Sequence, residues 1–208
     1  LRLLLIDYGK AFSEFMYRRA AKKHHVIVGM GPAAIEYAAN HRHLFPRARA
    51  IHLADEGAPL AKHLGTFARR GSLERQLGLA VASRACRIVV DEGDDADTWQ
   101  TAQAIARQLP DTEVLAHITD PWMRDRLSRE HPQFGLSPFS FAGGAARQVM
   151  LAHPPFLLAE KLGAPVQHIL IVGFGQVGQS LVREFIVTST MPGAGRAKVT
   201  IVDPDAKR

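Results

Sequence analysis

Cysteine is nearly absent from this sequence, since Cys86 is the single thiol among 208 residues. One thiol excludes an intramolecular disulfide and a zinc site made of several cysteines, and it is typical of a protein from a reducing compartment. Because Cys86 lies next to a predicted strand, we expect a buried structural thiol. Long hydrophobic runs are missing too: Ile169–Val172, one of the longest, is far shorter than the roughly 20 residues that cross a bilayer.

The sequence motifs of several enzyme classes are also missing. There is no G-x-x-x-x-G-K-[ST] loop, no H-E-x-x-H or C-x-x-C, no G-x-S-x-G, and no Tyr followed four residues later by Lys. The ten histidines are scattered and lack partner ligands at metal-binding spacing. We therefore expect no catalytic residues and no metal site, and we place the histidines at the surface or behind a binding site.

What is present is the composition of a globular protein with an excess of positive charge. Hydrophobic residues make up 47% and charged residues 22% of the chain, a balance that excludes disorder. Lys and Arg number 26 against 20 Asp and Glu, so the net charge is +6 and an anionic ligand, membrane surface or partner is indicated. Because the chain begins at Leu1 without Met and ends in a basic segment, we expect it to be part of a longer protein.

Short apolar runs alternate with helical patterns along the chain. Residues 1–24 show one amphipathic stripe with a basic end, which predicts an N-terminal helix or linker. Over residues 25–152, about six short strands alternate with helices, and this alternation predicts a Rossmann-like, doubly wound α/β fold with a parallel sheet. Its last helix, over residues 139–152, is predicted to be strongly apolar.

The opening pattern returns after residues 153–166, a predicted linker where prolines and a glycine interrupt the helical pattern. Residues 168–178 repeat the order strand, glycine turn and helix of residues 25–34. We therefore predict that residues 167–208 are the first β-α-β unit of a second, truncated Rossmann-like module.

The second glycine loop, residues 173–178, is a complete G-x-G-x-x-G between a predicted strand and a predicted helix. Gly173 permits the tight turn, Gly175 lets the backbone approach a pyrophosphate, and Gly178 lets the helix pack closely on the strand. Asp203 ends the next predicted strand, where a carboxylate can accept hydrogen bonds from ribose hydroxyls. The motif predicts nucleotide binding, with a structural glycine turn as the alternative.

The first glycine loop, residues 29–34, departs from the full motif. It keeps the first two glycines, but Ala34 replaces the third and Pro32 removes one amide donor from the phosphate-facing turn. Asp55 ends the next predicted strand at the usual spacing. These residues predict a second nucleotide site, with a nucleotide fold that has lost its ligand as the alternative.

The chain resembles the TrkA-N or RCK (KTN) domains, which are cytosolic regulators of potassium channels and transporters. The resemblance covers residues 24–152, restarts at residue 167, and fits a family in which tandem copies occur. It rests on the glycine loops and on an ordered series of motifs after successive strands: Gly71-Ser72, Gly93-Asp94-Asp95, Asp120-Pro121 and Ser137-Pro138.

The resemblance implies regulatory binding of NAD(H) first, with ATP or ADP as alternatives. It also implies pairing of two copies, or a larger ring, through the crossover helix at 139–152. In the first copy the implied contacts are Gly29, Met30, Gly31, Pro32 and Ala33 for phosphate, Asp55 for ribose, and Gly71, Ser72, Asp91, Glu92 and Gly93 along the cleft. In the second copy they are Gly173, Phe174, Gly175, Gln176, Val177, Gly178 and Asp203.

Two departures from the family pattern bear on the first copy. Ser72 replaces the family's usual Asp, and His117 stands where the family often has an Arg that contacts phosphate. A neutral His117 would deprive an anionic ligand of a charge-assisted hydrogen bond. We therefore expect the second site to bind more tightly in a full-length protein. In the present 208 residues, where the first domain is complete and the second is not, we expect any bound nucleotide in the first site.

The expected function is that of a cytoplasmic regulatory domain, at the inner face of a membrane, that binds an adenine nucleotide and gates a potassium or other cation channel or transporter. The alternative is an NAD-dependent oxidoreductase, which needs a proton donor beside the nicotinamide. A nucleic-acid partner is disfavoured, because the basic residues are dispersed and no recognition motif or aromatic platform accompanies them.

Overall fold

The computed structural model describes residues 23–54, 65–68, 72–80, 82–130, 135–189 and 196–204. The predicted N-terminal helix lies almost wholly outside the described residues, and so do Asp55 and Gly71 of the predicted first site. The chain divides into two units: the first unit falls within residues 1–118 and 127–138, and the second unit within residues 119–126 and 139–208.

A six-stranded sheet confirms the predicted doubly wound α/β fold. Its strands are β1 (His24–Val28), β2 (Ala50–Ala54), β3 (Gly65–Ala68), β4 (Ala85–Val90), β5 (Glu113–His117) and β6 (Leu136–Phe139). Their order is β3-β2-β1-β4-β5-β6, with parallel pairing of β1 to β2 and β4, of β2 to β3, and of β4 to β5. The strand order reverses between β1 and β4, so the loops that follow these two strands meet at one edge of the sheet.

Helices follow the strands as the sequence predicts. They are α1 (Pro32–Leu44), α2 (Leu73–Leu79), α3 (Asp95–Gln108) and α4 (Pro121–Glu130). Side chains fix two of the starts: the Ser72 hydroxyl accepts a hydrogen bond from the amide of Arg75 (3.4 Å), and the Asp94 carboxylate accepts from the amides of Ala96 (2.8 Å) and Asp97 (3.1 Å). Each bond satisfies amide groups that have no partner within their own helix.

The core of the first unit lies on the central strands. Every residue of β1 and β2 is buried, including Val26 and Ile51. On α3, Trp99, Ala102 and Ile105 are buried at helical spacing. A strand buried on both faces needs apolar residues at consecutive positions, and a fully buried Val or Ile contributes about 1.5–3 kcal/mol relative to an exposed one.

The second unit contains the β-α-β order predicted for residues 167–208. Its elements are α5 (Phe141–Ala152), α6 (Pro155–Lys161), β7 (Val166–Val172), α7 (Gln176–Ser189) and β8 (Arg196–Val202). β7 and β8 pair in parallel from Val166 opposite Arg196 to Val172 opposite Val202. The segment 153–166, predicted as a linker, contains α6, because Pro155 stands at a first helical position, where its missing N–H is not needed.

One prediction about a single residue is wrong, and another holds only in part. Cys86 is exposed, because it lies at the start of β4, where burial begins only two residues later at Ile88. Several histidines are buried rather than at the surface: His24, His25, His41 and His52. Their rings form hydrogen bonds to other groups inside the fold. For example, His24 Nε2 donates to the carbonyl of Ala80 at 2.9 Å.

Among the described helices, none combines the length and the apolar character that a membrane span requires.

Candidate functional site

The first glycine loop joins β1 to α1 at the point where the strand order reverses. Gly29 has a φ of 99°, a backbone conformation that L side chains rarely adopt. A Cβ at Gly29 would overlap the backbone carbonyl of Asp91, and a Cβ at Gly31 would overlap the Asp91 carboxylate. Glycine at both positions therefore lets the segment after β4 pass directly against the loop after β1.

The carboxylate of Asp91 occupies the amino end of α1. Its Oδ2 accepts hydrogen bonds from the amides of Ala33 (2.7 Å) and Ala34 (3.3 Å), and its Oδ1 accepts from the amide of Gly93 (3.1 Å). Pro32, at the first helical position, has no N–H to donate. Every amide that the first three residues of α1 can offer is therefore already bonded to Asp91.

Asp91 is ionised although it is only 2% exposed. Burial alone would raise its pKa, but the hydrogen bond with His117 and those from the amides of Gly93 and Ala33 outweigh burial and lower the pKa below its ordinary value. His117, which ends β5, places Nδ1 3.5 Å from Asp91 Oδ2. The family resemblance implies that His117 faces the phosphate of a ligand, and here it faces an internal carboxylate.

The backbone of the first glycine loop is held from two further sides. The amide of Gly31 donates to the carbonyl of Asp91 (2.8 Å), and the amide of Asp91 donates to the carbonyl of Val28 (2.9 Å). His52 Nε2 donates to the carbonyl of Gly29 (2.8 Å), and burial lowers the pKa of His52 although this bond opposes the shift. His52 is not among the site residues predicted from the sequence, because nothing in the pattern of β2 marks its ring as a partner of the loop.

The structure brings most of the predicted first-site residues together. Gly29 to Ala33 form the loop and the start of α1, and Asp91 to Gly93 pass beside them. Glu92 is half-buried, and its amide donates to the hydroxyl of Thr98 (2.9 Å). Ser72 caps α2.

The second glycine loop has the geometry that its motif predicts. Gly173 has a φ of 89°, and its amide donates to the carbonyl of Val202 (2.8 Å). A Cβ at Gly178 would overlap the carbonyl of Gly173, so only glycine lets α7 begin this close to β7. Asp203 Oδ2 accepts a hydrogen bond from the amide of Phe174 (2.5 Å), which fixes a carboxylate beside the loop.

Among the described residues, no side chain fills the second glycine loop. A Cβ at Gly173 or at Gly175 would meet no atom within 4 Å among the described residues outside its immediate chain neighbours. Within the described part of the chain, no hydrogen bond reaches the amides of Gln176 and Val177 at the start of α7. Phe174 and Val177 are exposed. These features leave room and donors for an anion.

Metal binding has no support among the described residues, which contain no group of three or more His, Cys, Asp or Glu side chains able to hold a metal ion.

Comparison with solved structures shows the same fold in the GsuK channel. A structure of the GsuK channel aligns with a TM-score of 0.56 and 13% identity over 91% of this chain and 49% of that chain. GsuK bound to ADP aligns with a TM-score of 0.54 and 15% identity over 91% and 49%. A GsuK mutant aligns with a TM-score of 0.57 and 13% identity over 88% and 44%.

The present chain thus spans less than half the length of the GsuK chains. No protein-family model matches the sequence, and no curated protein matches it. At this level of identity the likeness establishes the fold, and it confirms the predicted Rossmann-like α/β class.

Proposed function

We propose that this chain is a regulatory module of the TrkA-N or RCK type that binds an adenine nucleotide at the second glycine loop. One observation carries the proposal: the second glycine loop combines glycine-only geometry, open space and unbonded helix amides, which together fit a diphosphate. The fold supports the proposal, because it is shared with a channel protein, GsuK, that has been solved bound to ADP.

The charges around the second glycine loop favour an anionic ligand. The amides of Gln176 and Val177 lie at the positive end of the α7 dipole, and the first turn of α7 contains no acidic residue. Asp203 lies at the end of β8, where a carboxylate accepts hydrogen bonds from ribose hydroxyls and disfavours a 2′-phosphate. The ligand class is therefore an adenine nucleotide with at least two linked phosphates and an unmodified ribose, such as NAD(H), ADP or ATP.

A membrane channel or transporter is the proposed target of regulation, at its cytoplasmic face. The exposed side of α5 is the proposed contact between two copies. Gly143 and Ala146 are buried on α5, and Arg147 Nη2 lies 3.8 Å from Glu184 Oε1 on α7, so this side of the helix is covered within the chain. Elsewhere on α5, Val149 and Leu151 are exposed.

Val149 also lines an apolar cleft of about 500 Å³ between α5, α6 and β7. Exposed apolar surface of this kind is typical of an interface, and a two-fold contact would bury the same patch on both copies.

Thermal unfolding in the presence of ADP, ATP or NADH tests the proposal. A ligand that binds only the folded chain raises the melting temperature. Gly175→Asp should abolish this rise, because it places a carboxylate in the open space that the phosphates need. Gly78→Asp is the matched control: it adds the same charge at an open, exposed glycine of α2, in the first unit, and should leave the rise unchanged. Substrate-dependent oxidation of NADH by the chain would instead favour an oxidoreductase.

A further inference from the structure

We propose that the Asp91 carboxylate is a built-in anion that fills the first glycine loop and closes it to phosphate-bearing ligands. In a nucleotide-binding Rossmann unit, the phosphates lie against the amides at the amino end of the helix that follows β1. Here those amides, on Ala33 and Ala34, donate to Asp91 Oδ2 at 2.7 and 3.3 Å. The carboxylate therefore takes the hydrogen bonds that a phosphate would otherwise receive.

Several groups of the protein hold the Asp91 side chain in this position. Three backbone amides converge on its two carboxylate oxygens, the third being that of Gly93 at 3.1 Å. The imidazole of His117 lies 3.5 Å from Oδ2 and is itself buried. Gly31 has no side chain, and any Cβ there would overlap the carboxylate. The loop thus has a pocket for an anion, and the chain supplies that anion itself.

A phosphate could enter this pocket only by displacing Asp91. Two anions cannot share the same three amides, because each would lose its hydrogen bonds and repel the other at close range. A displaced Asp91 would also have to leave a position in which it is 2% exposed and held through its own backbone amide and carbonyl. The first glycine loop therefore supports the fold, which leaves the second loop as the proposed nucleotide site.

This division of roles rests on the proposed function in one respect: it predicts one nucleotide per chain, bound at the second glycine loop. The closure of the first loop does not depend on a nucleotide and can be tested without one. Removing the carboxylate should leave an empty anion pocket, which a small carboxylate from solution can refill.

Chemical rescue by formate is the test. Asp91→Ala should melt below the wild type, and sodium formate at roughly 100 mM should raise its melting temperature by about 3 °C more than sodium chloride does. The wild type should show no such difference. Asp94→Ala is the matched control, because Asp94 also accepts from two helix amides but on an exposed surface, where no enclosed pocket remains after its removal. A folded Asp91→Ala protein that formate does not stabilise would overturn the proposal.

If the Asp91→Ala protein stays unfolded even in formate, the Gly175→Asp variant provides the test. Only the first glycine loop of this variant could bind a nucleotide. Carboxyl NMR of this variant should show an ionised Asp91 whose resonance does not move with saturating ADP, and a resonance that moves with ADP would overturn the closure. Absence of ADP binding to the wild type would refute the proposed function instead, and formate rescue would still support the closed first loop.

Discussion

Mild acid should destabilise the first unit through His25. The ring is buried on β1, with the hydroxyl of Tyr37 2.9 Å and Nε2 of His41 3.0 Å from its Nδ1. Burial, followed by the charges of His41 and Arg87, lowers the pKa of His25 from 6.5 to about 4. A proton added at Nδ1 would face these neighbours directly and would remove the only lone pair of the ring.

The direction of the effect follows from the two pKa values. Below pH 6.5 the unfolded chain takes up a proton at His25 that the folded chain does not bind until the pH approaches 4. The contribution of His25 to the free energy of unfolding is therefore complete above pH 6.5, falls between pH 6.5 and 4, and levels off below that. The difference corresponds to about 3 kcal/mol in total and to about 2 kcal/mol by pH 5.

Urea unfolding at pH 7.5 and at pH 5 measures this loss. We expect His25→Gln, which cannot titrate, to lose about 2 kcal/mol less than the wild type between these two pH values, whatever its stability at pH 7.5. A residual loss should remain, because burial also lowers the pKa values of His24 and His52. His153→Gln, at an exposed site, should behave as the wild type does. Equal losses in His25→Gln and the wild type would refute the reasoning.

Three further changes test the second unit. Phe185 is fully buried on α7, so Phe185→Ala should lower the free energy of unfolding by about 3–5 kcal/mol in urea, and a loss below about 1 kcal/mol would contradict its place in the core. Asp203→Ala should weaken ADP binding about tenfold by calorimetry, since it removes a charged acceptor for the ribose, and an unchanged affinity would place the ribose elsewhere. Replacing both Val149 and Leu151 by Glu should convert a dimer into a monomer in sedimentation equilibrium, while Gln148→Glu should not; a wild-type monomer would exclude the α5 contact.

Local sequence patterns are sufficient to predict most of the helices and strands. Runs such as Val26–Val28 and Ile51–Ala54, with helical periodicity between them, predict the strands and helices that the structure shows. Pro154 and Pro155 predict a break in the helical pattern, but α6 begins at Pro155, because the missing N–H of proline is harmless at a helix start. The same residue type can end or begin a helix, and its neighbours in the sequence do not decide between the two.

The part of the site that could not be predicted depends on contacts between distant segments. The family resemblance implies that Asp91 lines a cleft, but the register that pairs Val28 of β1 with Val90 of β4 places its carboxylate inside the first glycine loop. His25 and His41 are likewise brought together by packing of α1 on β1, and the sequence shows them only as scattered histidines. The glycine spacing of residues 173–178, by contrast, predicts the geometry of its loop, because that geometry depends only on neighbouring residues in the sequence.

Nucleotide binding at the second glycine loop is tested most directly by native mass spectrometry of the purified chain with added ADP. We expect a mass increase of one ADP per chain, on a dimer, and loss of that increase in Gly175→Asp but not in Gly78→Asp. A chain that keeps its unliganded mass at saturating ADP, or a Gly175→Asp variant that binds ADP as the wild type does, would contradict the assignment of this loop as the nucleotide site.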